Sequence, residues 1–171
     1  MSDRPDELSD WSTPLAIVTI GMAVIVGSAL AFEHIGGYVP CALCLEQRTP
    51  YYIGIAFGMA GLLAALMALP ACVMRGFLAI IACCLSATAT MGAYHAGVEW
   101  GWFEAPATCG AAVSGTGSGS GNLLADLQSS KPPSCDDAAG RFLGLSFAGW
   151  NVIAATALLI YAVRALMAER A

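Results

Sequence analysis

The chain has 171 residues, 58% of them hydrophobic, and its 7 basic and 12 acidic side chains leave a net charge of −5. Only 11% of the residues are charged, too few to cover a soluble globule and too few for a disordered chain. The acidic balance also excludes nucleic acid as a partner, because binding to phosphates requires a basic face. The composition therefore predicts an integral membrane protein.

Four charge-free apolar runs predict membrane-spanning helices, over residues 15–32, 51–69, 77–94 and 143–163. At a rise of 1.5 Å per residue, each run is long enough to cross a hydrocarbon core of about 30 Å. We expect an all-α bundle that forms a single transmembrane domain over residues 1–171. A cleavable signal peptide is disfavoured for the first run, because the segment before it is acidic and a signal peptide begins with a positive region.

Glycine spacing in the second run bears on helix packing. Gly54 and Gly58 form a G-x-x-x-G pattern, which allows two helix backbones to approach closely. Glycines that lipid tolerates without any packing role are the alternative.

The connections between the runs differ in length. A short turn near Pro70 joins the second and third runs, whereas the loops over 33–50 and 95–142 lie together on the opposite side. Basic residues favour cytoplasmic termini by four to three under the positive-inside rule: Arg4, Arg75, Arg164 and Arg170 against Arg48, Lys131 and Arg141. In the long second loop, residues 122–128 predict a short helix on the bilayer surface, after a flexible glycine-serine stretch over 115–121.

Cysteine placement supports the same orientation. Four of the seven cysteines lie on the two loops that share a side: Cys41, Cys44, Cys109 and Cys135. An even set of loop cysteines is typical of disulfides in an oxidising compartment, which here indicates a periplasm, but the sequence leaves three pairings open. The other cysteines are expected to pack inside the bundle as small apolar residues: Cys72, Cys83 and Cys84.

The segment from Cys41 to Cys44 is a C-x-x-C motif, a spacing typical of redox-active dithiols. Haem attachment is excluded because Leu45 stands where that motif needs histidine. Structural disulfides remain an alternative, as does a zinc site completed by Cys109, Cys135, His34 or His95. Arg48 follows Cys44 by four residues, so a helical turn would bring its guanidinium to the thiolate. Anchoring of Arg48 at the lipid headgroups is the other reading.

Several blocks of the sequence resemble one known family. They include PCALCLEQRTPY over residues 40–51, AYHAGVEW over 93–100 and PATC over 106–109, followed by 133–136, 142–146 and 149–151. In this order, over most of the chain after residue 33, they resemble the DsbB family of disulfide bond formation proteins. The resemblance implies a four-helix bundle of the bacterial inner membrane that oxidises a periplasmic DsbA-type, thioredoxin-fold partner. It also implies that the electrons pass to a membrane quinone, for which we expect ubiquinone in preference to menaquinone.

The resemblance also implies roles for individual residues. Cys109 is similar to the cysteine that the partner's thiolate attacks, on a loop expected to be exposed. Cys135 resembles its disulfide mate, which then exchanges with Cys41. Cys44 is similar to the thiolate that meets the quinone, and Arg48 and His95 are candidates for binding that quinone. From the residues alone we expect Glu99 to be a solvated interface charge. Trp150 and Asn151 resemble a family motif in the fourth run, and aromatic anchoring with helix packing accounts for them equally well.

Other functions remain open from the sequence. A DsbB relative that serves one dedicated client fits the sequence as well as one that serves a general DsbA. A quinone-linked reductase similar to vitamin K epoxide reductases would carry the C-x-x-C after the loop pair, the reverse of the order here. A metal-binding membrane protein would use Cys41 and Cys44 with His34 and His95, although we expect no metal. A purely structural bundle would tolerate loss of the C-x-x-C.

Overall fold

Four long helices make up most of the part of the chain that the structure describes. The computed structural model describes residues 5–110 and 134–168. The helices are α1 (Pro5–His34), α2 (Ala42–Leu66), α3 (Ala71–Glu99) and α4 (Phe147–Ala168). All four are long and apolar enough to cross a membrane. The predicted all-α membrane bundle is confirmed, whereas the surface helix predicted over 122–128 lies outside the described residues.

The bundle core follows the helical period. Residues of α1 at a spacing of three or four turn inward, and α3 supplies a matching row. α3 makes its most extensive contacts with α2 and α4, whereas α1 packs mainly on α2. Many large apolar side chains point outward instead, as expected of helices whose outer face meets lipid. The largest fully buried side chains include Trp11, Leu15, Met22, Met74, Leu78, Ile81 and Leu85.

Helix α2 begins earlier than the apolar run predicts. The sequence analysis expects a loop up to Pro50 and a span from Tyr51, but the helix starts at Ala42 and contains Pro50. Cys41 adopts an extended conformation and its sulfur accepts a hydrogen bond from the backbone N–H of Cys44, which caps the helix. The C-x-x-C motif therefore lies at the first turn of a helix.

Helix α4 begins later than predicted, because a small hairpin occupies the expected start of the span. Strands β1 (Arg141–Phe142) and β2 (Leu145–Ser146) pair antiparallel. Leu143 and Gly144 join them with positive φ angles of 52° and 82°, the conformation of a tight hairpin turn. The Ser146 hydroxyl then accepts a hydrogen bond from the Gly149 N–H at 3.2 Å, so α4 starts at Phe147.

The two spaced glycines of α2 lie against α1. A Cβ atom at Gly54 would lie 2.8 Å from the Met22 sulfur, and a Cβ at Gly58 would overlap the Thr19 side chain. Both glycines are buried. The G-x-x-x-G pattern therefore does allow close approach of two helices, which settles the choice between the two readings of this spacing.

We expect Gly58→Ala to destabilise the bundle relative to Gly27→Ala by about 1–3 kcal/mol, the usual cost of overpacking. Gly27 lies in α1 with open space around the position of a Cβ. Both substitutions add one methyl group in a helix, so their difference isolates the clash with Thr19. Thermal unfolding of the two variants in the same detergent measures it, and equal midpoints would contradict the proposed tight contact.

Candidate active site

The two sulfur atoms of the C-x-x-C motif meet at the first turn of α2. Helical geometry places residues three apart on one face, and the Cys41 and Cys44 sulfurs lie 2.9 Å apart without a covalent bond. The Cys41 sulfur also accepts a hydrogen bond from the Cys44 backbone N–H at 3.3 Å. Cys41 is buried and Cys44 is partly buried. A pair this close needs little movement to form a disulfide.

The environment of Cys41 favours its thiolate. Hydrogen bonding from the Cys44 thiol lowers the pKa of Cys41 to about 4, and contacts with His95 and the Cys44 backbone N–H act in the same direction. Burial opposes them by raising this pKa, but the hydrogen bonds prevail. The position at a helix N-terminus is one where thiolates are generally stabilised. Cys41 is therefore suited to leave as a thiolate in disulfide exchange.

The loop cysteines form a disulfide beside this dithiol. Cys109 is bonded to Cys135, with their Cα atoms 5.6 Å apart. A 3₁₀ turn (Ala107–Gly110) holds Cys109, whose N–H bonds to the Pro106 carbonyl. The disulfide packs into one buried cluster with Cys41 and Cys44. The four loop cysteines identified in the sequence thus come together, and the pairing left open there is Cys109 with Cys135.

Two cavities meet at the dithiol. The first, of about 330 Å³, lies among α1, α2 and α4, and its walls are mostly apolar, with Cys44, Arg48 and His95 among the lining side chains. The second, of about 270 Å³, is lined by Cys41 and Glu99 as well as by Cys44 and His95. Cys44 thus borders both spaces, whereas Cys41 borders only the second. The apolar cavity has the size and lining of a small-molecule site.

Arg48 lines the apolar cavity, but its charge is directed to another residue. Its Nη1 donates a hydrogen bond to Glu33 Oε2 at the end of α1, and both side chains are largely buried. The spacing of Arg48 and Cys44 predicts the guanidinium at the Cys44 thiolate. The Arg48–Glu33 ion pair instead links α2 to α1 at the cavity wall. Glu33 was missed because no local spacing connects it to Arg48.

His95 lies between the dithiol and a buried amide. Its Nε2 lies 3.6 Å from the Cys41 sulfur and 3.8 Å from Glu99 Oε1. Its Nδ1 accepts a hydrogen bond from Gln47 Nε2 at 2.8 Å. The ring is only 4% exposed, so these contacts replace water as its hydrogen-bonding partners. His95 therefore links α3 to the redox-active end of α2.

Comparison with known proteins agrees with this geometry. The family profile described as disulfide bond formation protein DsbB matches residues 12–165. The chain belongs to the DsbB family. It is also 26% identical over 148 residues to an uncharacterised protein of Rickettsia prowazekii (strain Madrid E), covering 86% of this chain and 82% of the relative. No solved structure matches the chain. Membership of the DsbB family implies a thiol oxidoreductase in disulfide bond formation.

One expectation about exposure is wrong for this DsbB-family chain. Glu99 was expected to be a solvated charge, but its side chain is 5% exposed, because it turns towards His95 and the second cavity. Its Oε2 has no hydrogen-bond partner among the described residues. Most of the described loop residues before Cys109 are exposed, as expected of this loop, but the Cys109 side chain is buried at 6% exposure in the cluster with the dithiol.

The three remaining cysteines also differ from the expectation that they pack inside the bundle. Cys72 and Cys83 are exposed on the surface of α3, and Cys84 is partly exposed. Cys72 and Cys83 lie on the outward side of an apolar helix, where lipid takes the place of a protein core. Cys84 instead faces α2, since a Cβ atom at Gly54 would lie 3.6 Å from the Cys84 Cβ. None of them joins the cluster formed by the loop cysteines.

Part of the ligand set that a zinc site would need is present in this DsbB-family site. The ligand atoms of Cys41, Cys44 and His95 lie within 4.8 Å of one another. His34, the other histidine considered, is exposed at the end of α1 and is not part of this group. Metal-bound histidine usually donates its second ring N–H to an acceptor, whereas Gln47 presents an N–H donor to Nδ1 of His95. This contact disfavours metal ligation through Nε2.

We expect the reduced protein to be alkylated at Cys41 with a midpoint near pH 4, the pKa that its hydrogen bonds set. Cys44→Ala and His95→Leu each remove a group that lowers this pKa, so both midpoints should move to higher pH, more for Cys44→Ala. Iodoacetamide labelling across pH, followed by mass spectrometry of the Cys41 peptide, measures the midpoints. Cys83→Ser is the control and should leave the midpoint unchanged. An unperturbed midpoint in the parent protein would contradict the thiolate environment.

Proposed function

We propose that this chain reoxidises a DsbA-type thioredoxin-fold partner and passes the electrons to a membrane quinone. The observation that supports this best is the single cluster of two cysteine pairs, of which one borders an apolar cavity. A disulfide next to a dithiol permits thiol–disulfide exchange, and the cavity gives the dithiol an outlet into an apolar space. The DsbA–DsbB–quinone chain keeps bacterial periplasms oxidising in this manner.

The first half of the proposed reaction reduces the loop disulfide. A thiolate of the partner attacks the Cys109 sulfur, the Cys109–Cys135 bond breaks, and Cys135 leaves as a thiolate. The partner's second thiolate then attacks the mixed disulfide and releases Cys109. The partner gains a disulfide, and Cys109 and Cys135 together gain two electrons. Because Cys109 is buried, the 3₁₀ turn that carries it must move before the partner's thiolate reaches the sulfur.

The second half moves the electrons to the C-x-x-C. Cys135 attacks Cys41 of an oxidised Cys41–Cys44 pair, and Cys44 leaves as a thiolate. Cys109 then attacks Cys135, which restores the loop disulfide and releases Cys41. The stabilised thiolate of Cys41 makes it a good leaving group for this step. The dithiol that results carries the two electrons to the border of the apolar cavity.

The residues around the apolar cavity suit a quinone headgroup, which accepts two electrons and two protons when it is reduced. Apolar side chains of α1 and α4 form most of the wall and would hold a ring by hydrophobic contact. Cys44 faces this space as the electron donor. Arg48 and His95 line the same wall. The guanidinium N–H groups of Arg48 that do not bind Glu33 would donate to a ring oxygen and orient it towards the sulfur, and the His95 ring would contact the quinone without donating a hydrogen bond.

We further propose that the site faces the periplasm and that both termini are cytoplasmic, in one transmembrane domain. A loop disulfide fits an oxidising compartment. Trp100 and Trp102 are exposed just beyond the end of α3, beside the site, and tryptophan is typical of membrane–water interfaces. The basic residues favour the same orientation.

The defining test is reoxidation of a reduced DsbA-type protein by the purified chain, with ubiquinone, with menaquinone and without quinone. We expect quinone-dependent turnover that Cys44→Ser and Cys109→Ser each abolish, because each removes one end of the electron path. Cys72→Ser is the matched control and should retain full turnover, since that cysteine is exposed and remote from the cluster. Turnover without quinone, or an active Cys44→Ser variant, would refute the proposed electron exit. Absence of turnover with this partner alone would favour a dedicated client.

The role of Arg48 can be separated from its ion pair with Glu33. We expect Arg48→Gln to lower kcat/KM for quinone about 10–100-fold, because a charged hydrogen bond contributes about 1.5–3 kcal/mol. Glu33→Gln removes the partner but keeps the guanidinium, so it should lower kcat/KM much less. Steady-state kinetics at varied quinone concentration compares the two variants. Equal losses would indicate that Arg48 acts only through the ion pair.

A further inference from the structure

A chain of buried hydrogen bonds extends from His95 to α4. Gln47 Nε2 donates to His95 Nδ1 at 2.8 Å, and Asn151 Nδ2 donates to Gln47 Oε1 at 2.8 Å. Tyr51 then donates its hydroxyl to Asn151 Oδ1 at 2.7 Å. Gln47 is only 5% exposed. The chain thus joins three helices behind the histidine that contacts Cys41.

One contact determines which groups donate and which accept along this series of hydrogen bonds. Gln47 Nε2 also donates to the Leu43 carbonyl at 3.2 Å, and a carbonyl oxygen can only accept. The amide nitrogen of Gln47 therefore lies on the side of His95. Nδ1 of His95 must then be an acceptor, so the proton of the neutral ring lies on Nε2. This proton faces the Cys41 sulfur.

The surrounding backbone is shaped to hold the two amides. A Cβ atom at Gly92 would lie 3.0 Å from Asn151 Nδ2 and 3.3 Å from Gln47 Oε1, so the glycine leaves room for this pair. The Thr88 hydroxyl donates to the Gln47 backbone carbonyl at 3.0 Å. Turning the Gln47 amide would break three hydrogen bonds in a site with little water, at a high cost for each buried group.

We propose that Gln47 and Asn151 are positioning residues that hold His95 with its proton on Nε2, directed at the Cys41 sulfur. They touch His95 and each other, not the sulfur, and act through the histidine. The resulting benefit to disulfide exchange is a stabilised Cys41 leaving group, and this benefit rests on the proposed function. The position of the proton on His95 does not depend on it. Because Nε2 carries the proton in this arrangement, it has no lone pair with which to bind a metal ion that the adjacent thiolates attract.

The charged groups around His95 come from several elements. α3 contributes Glu99, and the segment before β1 contributes Asp137 to the second cavity. The cysteine pair lies at the start of α2, and the ion pair of Arg48 with Glu33 borders the apolar cavity that His95 also lines. α4 presents the neutral Asn151 to this region. The test therefore observes the ring nitrogens directly and does not rely on a pH profile alone.

Nitrogen-15 NMR of the reduced full-length protein in detergent distinguishes protonated from unprotonated ring nitrogens. The sequence has two histidines, and a His34→Gln variant assigns the signals. We expect Nδ1 of His95 to be unprotonated and Nε2 protonated. Gln47→Glu places a carboxylate acceptor at Nδ1 and should make that nitrogen protonated. Asn151→Leu frees the Gln47 amide to turn and should give a mixture of forms.

Two matched controls accompany these variants. Thr49→Glu adds the same charge as Gln47→Glu at an exposed position of α2, and Tyr52→Phe alters a half-exposed tyrosine next to Tyr51. Neither should change the His95 signals. A protonated Nδ1 in the parent protein would overturn the proposal, and so would unchanged signals in both Gln47→Glu and Asn151→Leu. Asn151→Leu keeps the test decisive if Gln47→Glu does not fold.

Zinc binding gives a second readout that needs neither partner nor quinone. Ligation through Nε2 requires a proton on Nδ1 and an acceptor for it, which Gln47→Glu supplies and the parent protein does not. Calorimetric titration of reduced protein with zinc should show affinity about 10–100-fold higher for Gln47→Glu than for the parent or Thr49→Glu. Equal affinities would overturn the proposal. Turnover that is unchanged in a variant with altered His95 signals would reject only the role in exchange.

Discussion

The hydrogen bond from the Cys44 N–H to the Cys41 sulfur determines where α2 begins, and the site depends on that boundary. Because the cap is a sulfur atom, a cysteine occupies the helix N-terminus, where backbone N–H groups favour negative charge. The first helical turn then brings the second sulfur to 2.9 Å. The second turn of α2 continues from the first, so that Gln47 faces α3 and Arg48 faces α1. Under the proposed function, helix capping and thiol chemistry therefore use the same atoms.

The fold class was predictable because lipid imposes a strong constraint on sequence. Each span must be apolar and long, so composition and run length sufficed to identify four helices. Helix ends were less predictable, since they depend on single contacts. A hydropathy profile does not show that α2 begins at a cysteine cap, before Pro50. Nor does it detect the hairpin through Leu143 and Gly144, because Phe142, Leu143 and Leu145 continue the apolar run of the helix that follows.

The site was predictable in its residue types and less so in its contacts. Cys41, Cys44 and the loop pair were identified by spacing and by the family resemblance, and the structure brings them together. The contacts between Arg48 and Glu33, or between Gln47 and Asn151, join distant parts of the sequence. Nothing local distinguishes a buried Gln47 from a lipid-facing glutamine. Such pairs become visible only when the helices are packed.

The burial of the Cys109–Cys135 disulfide has a consequence for selectivity among thiols. Both sulfurs are almost inaccessible, at 6% and 1% exposure for the two residues. A small thiol therefore has little access to the disulfide axis in this conformation. A protein that binds the surrounding loop can use its binding energy to displace the 3₁₀ turn and uncover the bond. Under the proposed function, this burial makes reaction of the disulfide with a thiol conditional on recognition of the loop.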